Sequence, residues 1–257
     1  ETSHPAEGEQ SQAMDISRRV HGAYLPITSM TRCKHRYWCH WVKRGLDIVL
    51  SLLALVLLSP VFLIVAIAIK LDSPGPVIFR QQRVRGDQSS QDPHPEKSTF
   101  TFYKFRSMCK DADQNIHRKY FTEYMNGNHK AVNNGNKKAP IYKMTRDKRV
   151  TRVGRILRRT SLDELPQLLN VLKGNMSLVG PRPALPYEVT QYEEWHRERL
   201  SITPGITGLW QISGRSRLTF KEMAALDIEY TQRCSLGLDL IILAKTIPAV
   251  LSSKGAW

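Results

Sequence analysis

Cysteine is scarce. Cys33, Cys39, Cys109 and Cys234 are the only four in 257 residues, and their uneven spread excludes a disulfide framework. They read as reduced thiols in a cytosolic setting. Cys33, His35, Cys39 and His40 cluster, but at a spacing that matches no familiar zinc pattern. An apolar stretch is missing from residues 1–31, so no signal peptide is read there and a mobile polar segment is expected. Acidic residues are also in short supply: 23 Asp and Glu face 38 Lys and Arg, for a formal charge of +15. That balance turns the chain toward polyanions, whether nucleic acid, anionic lipid headgroups or phosphorylated small molecules.

What is present begins with one long apolar run. Leu46 to Ile69 reads LDIVLSLLALVLLSPVFLIVAIAI, with Asp47 as its single charge. A continuous helix of that length measures roughly 36 Å, enough for a hydrocarbon core of about 30 Å. Ser59-Pro60 interrupts it. Proline lacks an amide hydrogen and crowds the preceding turn, so a break is expected there, with the Ser59 hydroxyl a candidate partner for the freed backbone. Basic residues flank both ends: Arg32, Lys34, Arg36, Lys43 and Arg44 before, Lys70, Arg80, Arg83 and Arg85 after. Positive charge marks the cytoplasmic side, and here both ends qualify. The symmetry and the proline together predict a re-entrant hairpin rather than a span. A nucleic-acid binder has no need of such a run, so none is expected as a partner.

Downstream, Val77 to Val84 and Thr99 to Phe105 (TFTFYKF) read as a β-hairpin around a polar loop. A helix is expected over Lys110 to Met125, then a flexible loop over Asn126 to Pro140. From Thr151 the pattern predicts a short helix, a turn and a second helix from near Ser161, with Leu162, Leu165, Leu168, Leu169 and Leu172 on one face. Further helices are expected over Tyr187 to Arg199 and Phe220 to Cys234. Leu238 to Leu251 is too short to span and fits either a core helix or one lying in the membrane interface.

Asp163 and Glu164 are the candidate chemical centre. Ser161-Leu162-Asp163-Glu164 fits a helix capping box, which alone accounts for acids at that place. The surrounding arginines add a second meaning. Arg155, Arg158 and Arg159 precede the pair, and Arg182, Arg215 and Arg217 follow in loops stiffened by Gly180-Pro-Arg-Pro183, Pro204 to Gly208 and Ser213-Gly214-Arg215. Guanidinium forks match phosphate oxygens. A carboxylate among them stays ionised, fit to hold Mg²⁺ beside a diphosphate or to attack phosphorus.

In order along the chain stand Lys43-Arg44-Gly45-Leu46-Asp47, Ser59-Pro60, Pro74-Gly75-Pro76, Tyr103 to Met108, Thr160 to Gln167, Asn170 to Gly174, Ser177 to Pro183, Pro204 to Gly208 and Ser213 to Arg215. With this ordered set the chain resembles the monotopic bacterial phosphoglycosyl transferases. The resemblance implies a mostly α fold with a small β-hairpin and a proline-broken re-entrant membrane helix. A cytosolic catalytic domain would carry interface-lying helices. The domain organisation it implies is a mobile segment over 1–40, the re-entrant unit over 41–70 and the transferase domain over 71–257. The activity it implies is transfer of a sugar 1-phosphate from a UDP-sugar to polyprenyl phosphate, with release of UMP. It assigns Asp163 as nucleophile and metal ligand, Glu164 as its partner, and Mg²⁺ as cofactor. Arg158, Arg182 and Arg215 would contact phosphate, with Lys43 and Arg44 near the lipid phosphate. The partners implied are a UDP-sugar, polyprenyl phosphate, an anionic bilayer and a second copy in a homodimer. The location implied is the cytoplasmic face of the bacterial inner membrane. The loops at 86–98 and 126–140 exceed those of the smallest members. Larger members carry added helices and a regulatory domain ahead of the catalytic unit, so the chain reads as a minimal form or a truncated one.

Overall fold

A computed structural model describes residues 36–86, 94–113, 115–128, 132–135, 140–142, 144 and 147–251. The polar segment through residue 35, with Cys33 and His35, and much of the two long loops lie outside the described residues. The fold is mostly helical with two small sheets. The apolar run forms two helices, α1 (Arg36–Leu57) and α2 (Ser59–Asp72), bent by 61° at the break. Helix α1 thus begins inside the stretch expected to be mobile. No single described helix is long and apolar enough to cross a membrane. The bend has a local cause. Pro60 has no amide to offer the Val56 carbonyl, and the Ser59 hydroxyl donates to that carbonyl instead, at 2.8 Å. The outer faces of the pair are apolar: Leu52, Leu53, Val56, Leu57, Leu63 and Ile64 are exposed. Val65 and Ile69 turn inward against Phe105 and Leu157.

The predicted hairpin forms as β1 (Ile78–Val84) and β2 (Thr99–Phe105), antiparallel, with Arg80 opposite Tyr103 and Val84 opposite Thr99. Alternation works as expected on β2, where Phe100 and Phe102 pack on Val171 and Met176. Arg106, just past β2, donates to the carbonyls of Ser73 (2.6 Å), Pro74 (2.7 Å) and Ile69 (3.3 Å). It closes the end of α2 and pins that helix to the hairpin. Next come α3 (Asn115–Met125) and α4 (Arg152–Thr160), whose N-cap Thr151 accepts from the Gly154 amide. A side chain at Gly154 would place Cβ 2.0 Å from the Ser107 carbonyl, so α4 seats directly on the strand exit.

The predicted helix at Ser161 is corrected. Ser161 takes a left-handed conformation (φ 58°, ψ 15°) and its side chain caps nothing, so the capping box does not form. An N-cap needs an extended backbone; this serine instead ends α4. A single 3-10 turn, Leu162–Glu164, follows, and the helix proper is α5 (Gln167–Leu172). The helix expected over Tyr187 to Arg199 is likewise divided, into α6 (Pro186–Val189) and a 3-10 segment over Glu194–Leu200. A short parallel pair, β3 (Ser177–Val179) and β4 (Gly205–Thr207), is an addition to the predicted elements. It depends on a backbone approach that only glycine allows, since a Cβ on Gly205 would lie 2.0 Å from the Gly180 amide nitrogen. Helices α7 (Leu209–Ser213), α8 (Phe220–Arg233) and α9 (Leu236–Leu251) complete the chain. Helix α8 carries a full capping box between Thr219 and Glu222. Its Leu226 and Tyr230 form a core with Val179, Leu238 and Ile242. Helix α9 is therefore a core helix on that face, while Leu240 and Ile247 stay exposed on another.

Candidate active site

The left-handed Ser161 sets the geometry of the acidic pair. By reversing the chain after α4 it turns Asp163 inward, to 6% exposure, against the hairpin. There Lys104 of β2 meets both acids. Its ammonium lies 2.8 Å from Glu164 Oε1 and 3.6 Å from Asp163 Oδ2. Sequence reasoning placed Lys104 only within a motif and gave it no role. The signal was its position in TFTFYKF, a lysine breaking an aromatic run.

Arg158, in the last turn of α4, donates to the Ser107 hydroxyl at 3.0 Å. Burial lowers its pKa, while the nearby Asp163 and Asp147 charges act to raise it. Arg215 sits in a left-handed conformation (φ 51°) and donates to the carbonyls of Gln211 (3.2 Å) and Ala249 (2.8 Å). Burial lowers its pKa too, against the pull of Glu164. Arg158 and Arg215 therefore both feel the acidic pair. Arg182 is half-buried between two prolines, and its charge acts on Arg83 and His117. His117 donates or accepts at Tyr187 Oη (2.6 Å), and burial together with Arg182, Arg83, Arg149 and Arg158 pulls its pKa down to about 4. Lys104, Arg158 and Arg215 thus bring positive charge to the acidic pair, an arrangement suited to phosphate oxygens.

Lys43 and Arg44 lie elsewhere. Lys43 forms a 2.6 Å ion pair with Asp239 and donates to the Val179 carbonyl at 3.0 Å. Tyr230 donates to the other Asp239 oxygen at 2.6 Å. Arg44 donates to the Val171 and Leu172 carbonyls at 2.6 and 2.9 Å at the end of α5, where the Val171 carbonyl also accepts from the Gly174 amide at 2.9 Å. Both side chains tie α1 to the folded body. Ser59 and Pro60 form the helix break, as described.

Among the described residues no three His, Cys, Asp or Glu side chains gather as a metal site. Two adjacent carboxylates nevertheless fit Mg²⁺, which is commonly held by one or two carboxylates with water and substrate phosphates. Neither Cys109 nor Cys234 is in a disulfide among the described residues.

Residues 38–253 match the family model described as bacterial sugar transferase. The chain is 39% identical to the exopolysaccharide production protein ExoY of Sinorhizobium fredii over 215 residues, 84% of this chain and 88% of the relative. It is 37% identical to the UDP-glucose:undecaprenyl-phosphate glucose-1-phosphate transferase of Caulobacter vibrioides over 228 residues, 84% of this chain and 72% of the relative. To the undecaprenyl-phosphate galactose phosphotransferase of Salmonella typhimurium it is 37% identical over 217 residues, 84% of this chain and 42% of that longer protein. With a match that takes in the bent apolar pair, the acidic turn and every arginine loop, the chain belongs to the bacterial sugar transferases.

Proposed function

We propose that the chain transfers a sugar 1-phosphate from a UDP-sugar to undecaprenyl phosphate, releasing UMP, by way of a covalent intermediate on Asp163. The observation that carries this reading is the buried Asp163 carboxylate beside Lys104, with Arg158 close enough to feel its charge. An Asp163 oxygen bonds to the β-phosphorus while the bond from that phosphorus to the bridging oxygen breaks. UMP leaves with that oxygen and both electrons. An oxygen of undecaprenyl phosphate then bonds to the same phosphorus, and the Asp163 carboxylate departs. Such a reaction needs charge neutralisation and alignment more than proton transfer. Lys104 orients the carboxylate before attack, and Arg158 with Arg182 and Arg215 receives the diphosphate. Asp163, with Glu164, would hold Mg²⁺, which supplies further neutralisation of the diphosphate when bound.

The bent α1–α2 pair with its exposed leucines and valines supports a re-entrant anchor in the cytoplasmic leaflet of the inner membrane, aided by anionic lipid at its basic ends. Relatives named for glucose and galactose transfer bear on the kind of donor. The test is UMP release by the purified full chain in nanodiscs, across UDP-glucose and UDP-galactose, with undecaprenyl phosphate and Mg²⁺. Asp163→Asn is expected to stay folded and membrane-bound yet release no UMP. Release at the unaltered rate would sink the nucleophile assignment.

A further inference from the structure

Three successive carbonyls around Arg182 each accept a hydrogen bond from a different part of the molecule. The Pro181 carbonyl accepts from the Gly205 amide at 2.8 Å. The Arg182 carbonyl accepts from the Arg199 guanidinium at 3.5 Å, and the Pro183 carbonyl from Arg83 at 2.9 Å. The two prolines already fix φ at their own positions and narrow the choices of the residues before them. Few free torsions remain in this segment except in the Arg182 side chain, which is half-buried while its supports are not accessible: Arg83 is 6% exposed and Arg199 3%.

Burying two guanidinium groups is unfavourable unless each is paired or hydrogen-bonded. Arg199 is matched by an ion pair with Asp227 and donates to Tyr192 Oη at 3.0 Å. Arg83 is held by neutral oxygens, those of Pro183 and of Gln81 at 2.9 Å. Burial and then the Arg182 charge lower its pKa to about 10, outweighing the Glu188 and Glu164 charges that act to raise it. Arg83 and Arg182 thus repel across the loop, and an anion taken up by Arg182 would offset that repulsion.

We propose that Arg83 and the Arg199–Asp227 pair are positioning residues: they clamp the backbone of Pro181 to Pro183 so that the Arg182 guanidinium meets the diphosphate of the incoming UDP-sugar. This rests on the reading of the site given above. A positional error of about 1 Å can cost on the order of a hundredfold in rate, so the clamp acts through Arg182 without touching substrate.

A set of mutational cycles in the full chain, in nanodiscs, tests this. Arg83→Lys keeps the charge but replaces the fork with a single ammonium. Arg199→Met with Asp227→Leu removes the pair together, leaving no orphaned charge. Each is made alone and on top of Arg182→Ala, and KM and kcat for UMP release are measured with melting temperature. In the native background each is expected to raise KM for UDP-sugar roughly tenfold, and to add less than about twofold once Arg182 is alanine. Equal factors in both backgrounds would overturn the clamp, as would unfolding of both variants, which would make these residues a requirement of folding alone. An Arg182→Ala enzyme with native KM would also overturn it, while leaving the transfer reaction standing if Asp163→Asn is inactive. Absence of UMP release by the unaltered chain from every UDP-sugar would remove the reaction itself, and the clamp with it.

Discussion

Lys104 and Glu164 close an ion pair at 2.8 Å, and the same ammonium reaches to within 3.6 Å of Asp163. One cation from a β-strand therefore orients two neighbouring acids on a separate turn. Lys104→Met is expected to slow UMP release by roughly a hundredfold, the scale seen when one preorganised charge is removed from a site. Melting temperature and membrane retention are expected to stay near native. A loss confined to stability, with kcat unchanged, would count against any catalytic part for this lysine.

Arg44 offers a contrast. Its two bonds end on carbonyls of α5, so Arg44→Met is expected to lower stability by about 2 kcal/mol. The KM for undecaprenyl phosphate is expected to be unchanged. Denaturant titration and lipid-acceptor kinetics on the same preparation separate the two effects. A raised acceptor KM at native stability would return Arg44 to a lipid-phosphate role.

The helix break is testable by topology. With the Ser59 hydroxyl standing in for the missing Pro60 amide, the bend is built into two residues. In sealed inside-out vesicles, single cysteines at Val42 and Leu71, in a background lacking other thiols, are expected to label from one side. With Ser59→Leu and Pro60→Leu added, a straight helix forms and one of the two sites is expected to fall silent. Labelling of a single site in the parent would contradict the hairpin.

Acid is expected to weaken the fold through His117. Its pKa is about 4 when folded and 6.5 in the open chain, so unfolding takes up a proton between those values. The stability it contributes is fully present above about pH 6.5 and disappears as pH falls through about 4, at a slope of up to ~1.4 kcal/mol per pH unit. His117→Gln is expected to flatten that part of the stability profile. An unchanged slope between pH 7 and pH 5 would disprove the assignment to this histidine.

The sequence carried the hairpin and the helix break well, because both follow from local rules. TFTFYKF alternates, and proline removes a donor wherever it stands. The acidic pair was also legible, yet its local structure was misread. A serine followed three residues later by glutamate signals a cap only if the serine is extended, and the left-handed Ser161 depends on how α4 meets the 3-10 turn. Strands β3 and β4, three residues each, are too short for any period to show, and they exist because Gly180 and Gly205 can touch. Lys43, Arg44 and Lys104 resembled one another as cations in motifs. Only folding reveals that two of them face carbonyls or Asp239 and the third faces the acids.

Arg106 has a consequence for anyone who would recombine these enzymes. Two residues from Lys104 along the chain, its guanidinium grips the last turn of the apolar helix pair and the loop beyond. A crossover at residue 70 would graft a foreign helix end onto a grip shaped for this one. Chimaeras that exchange the apolar pair together with everything through Met108 carry both halves of that handshake, and they are the ones to build.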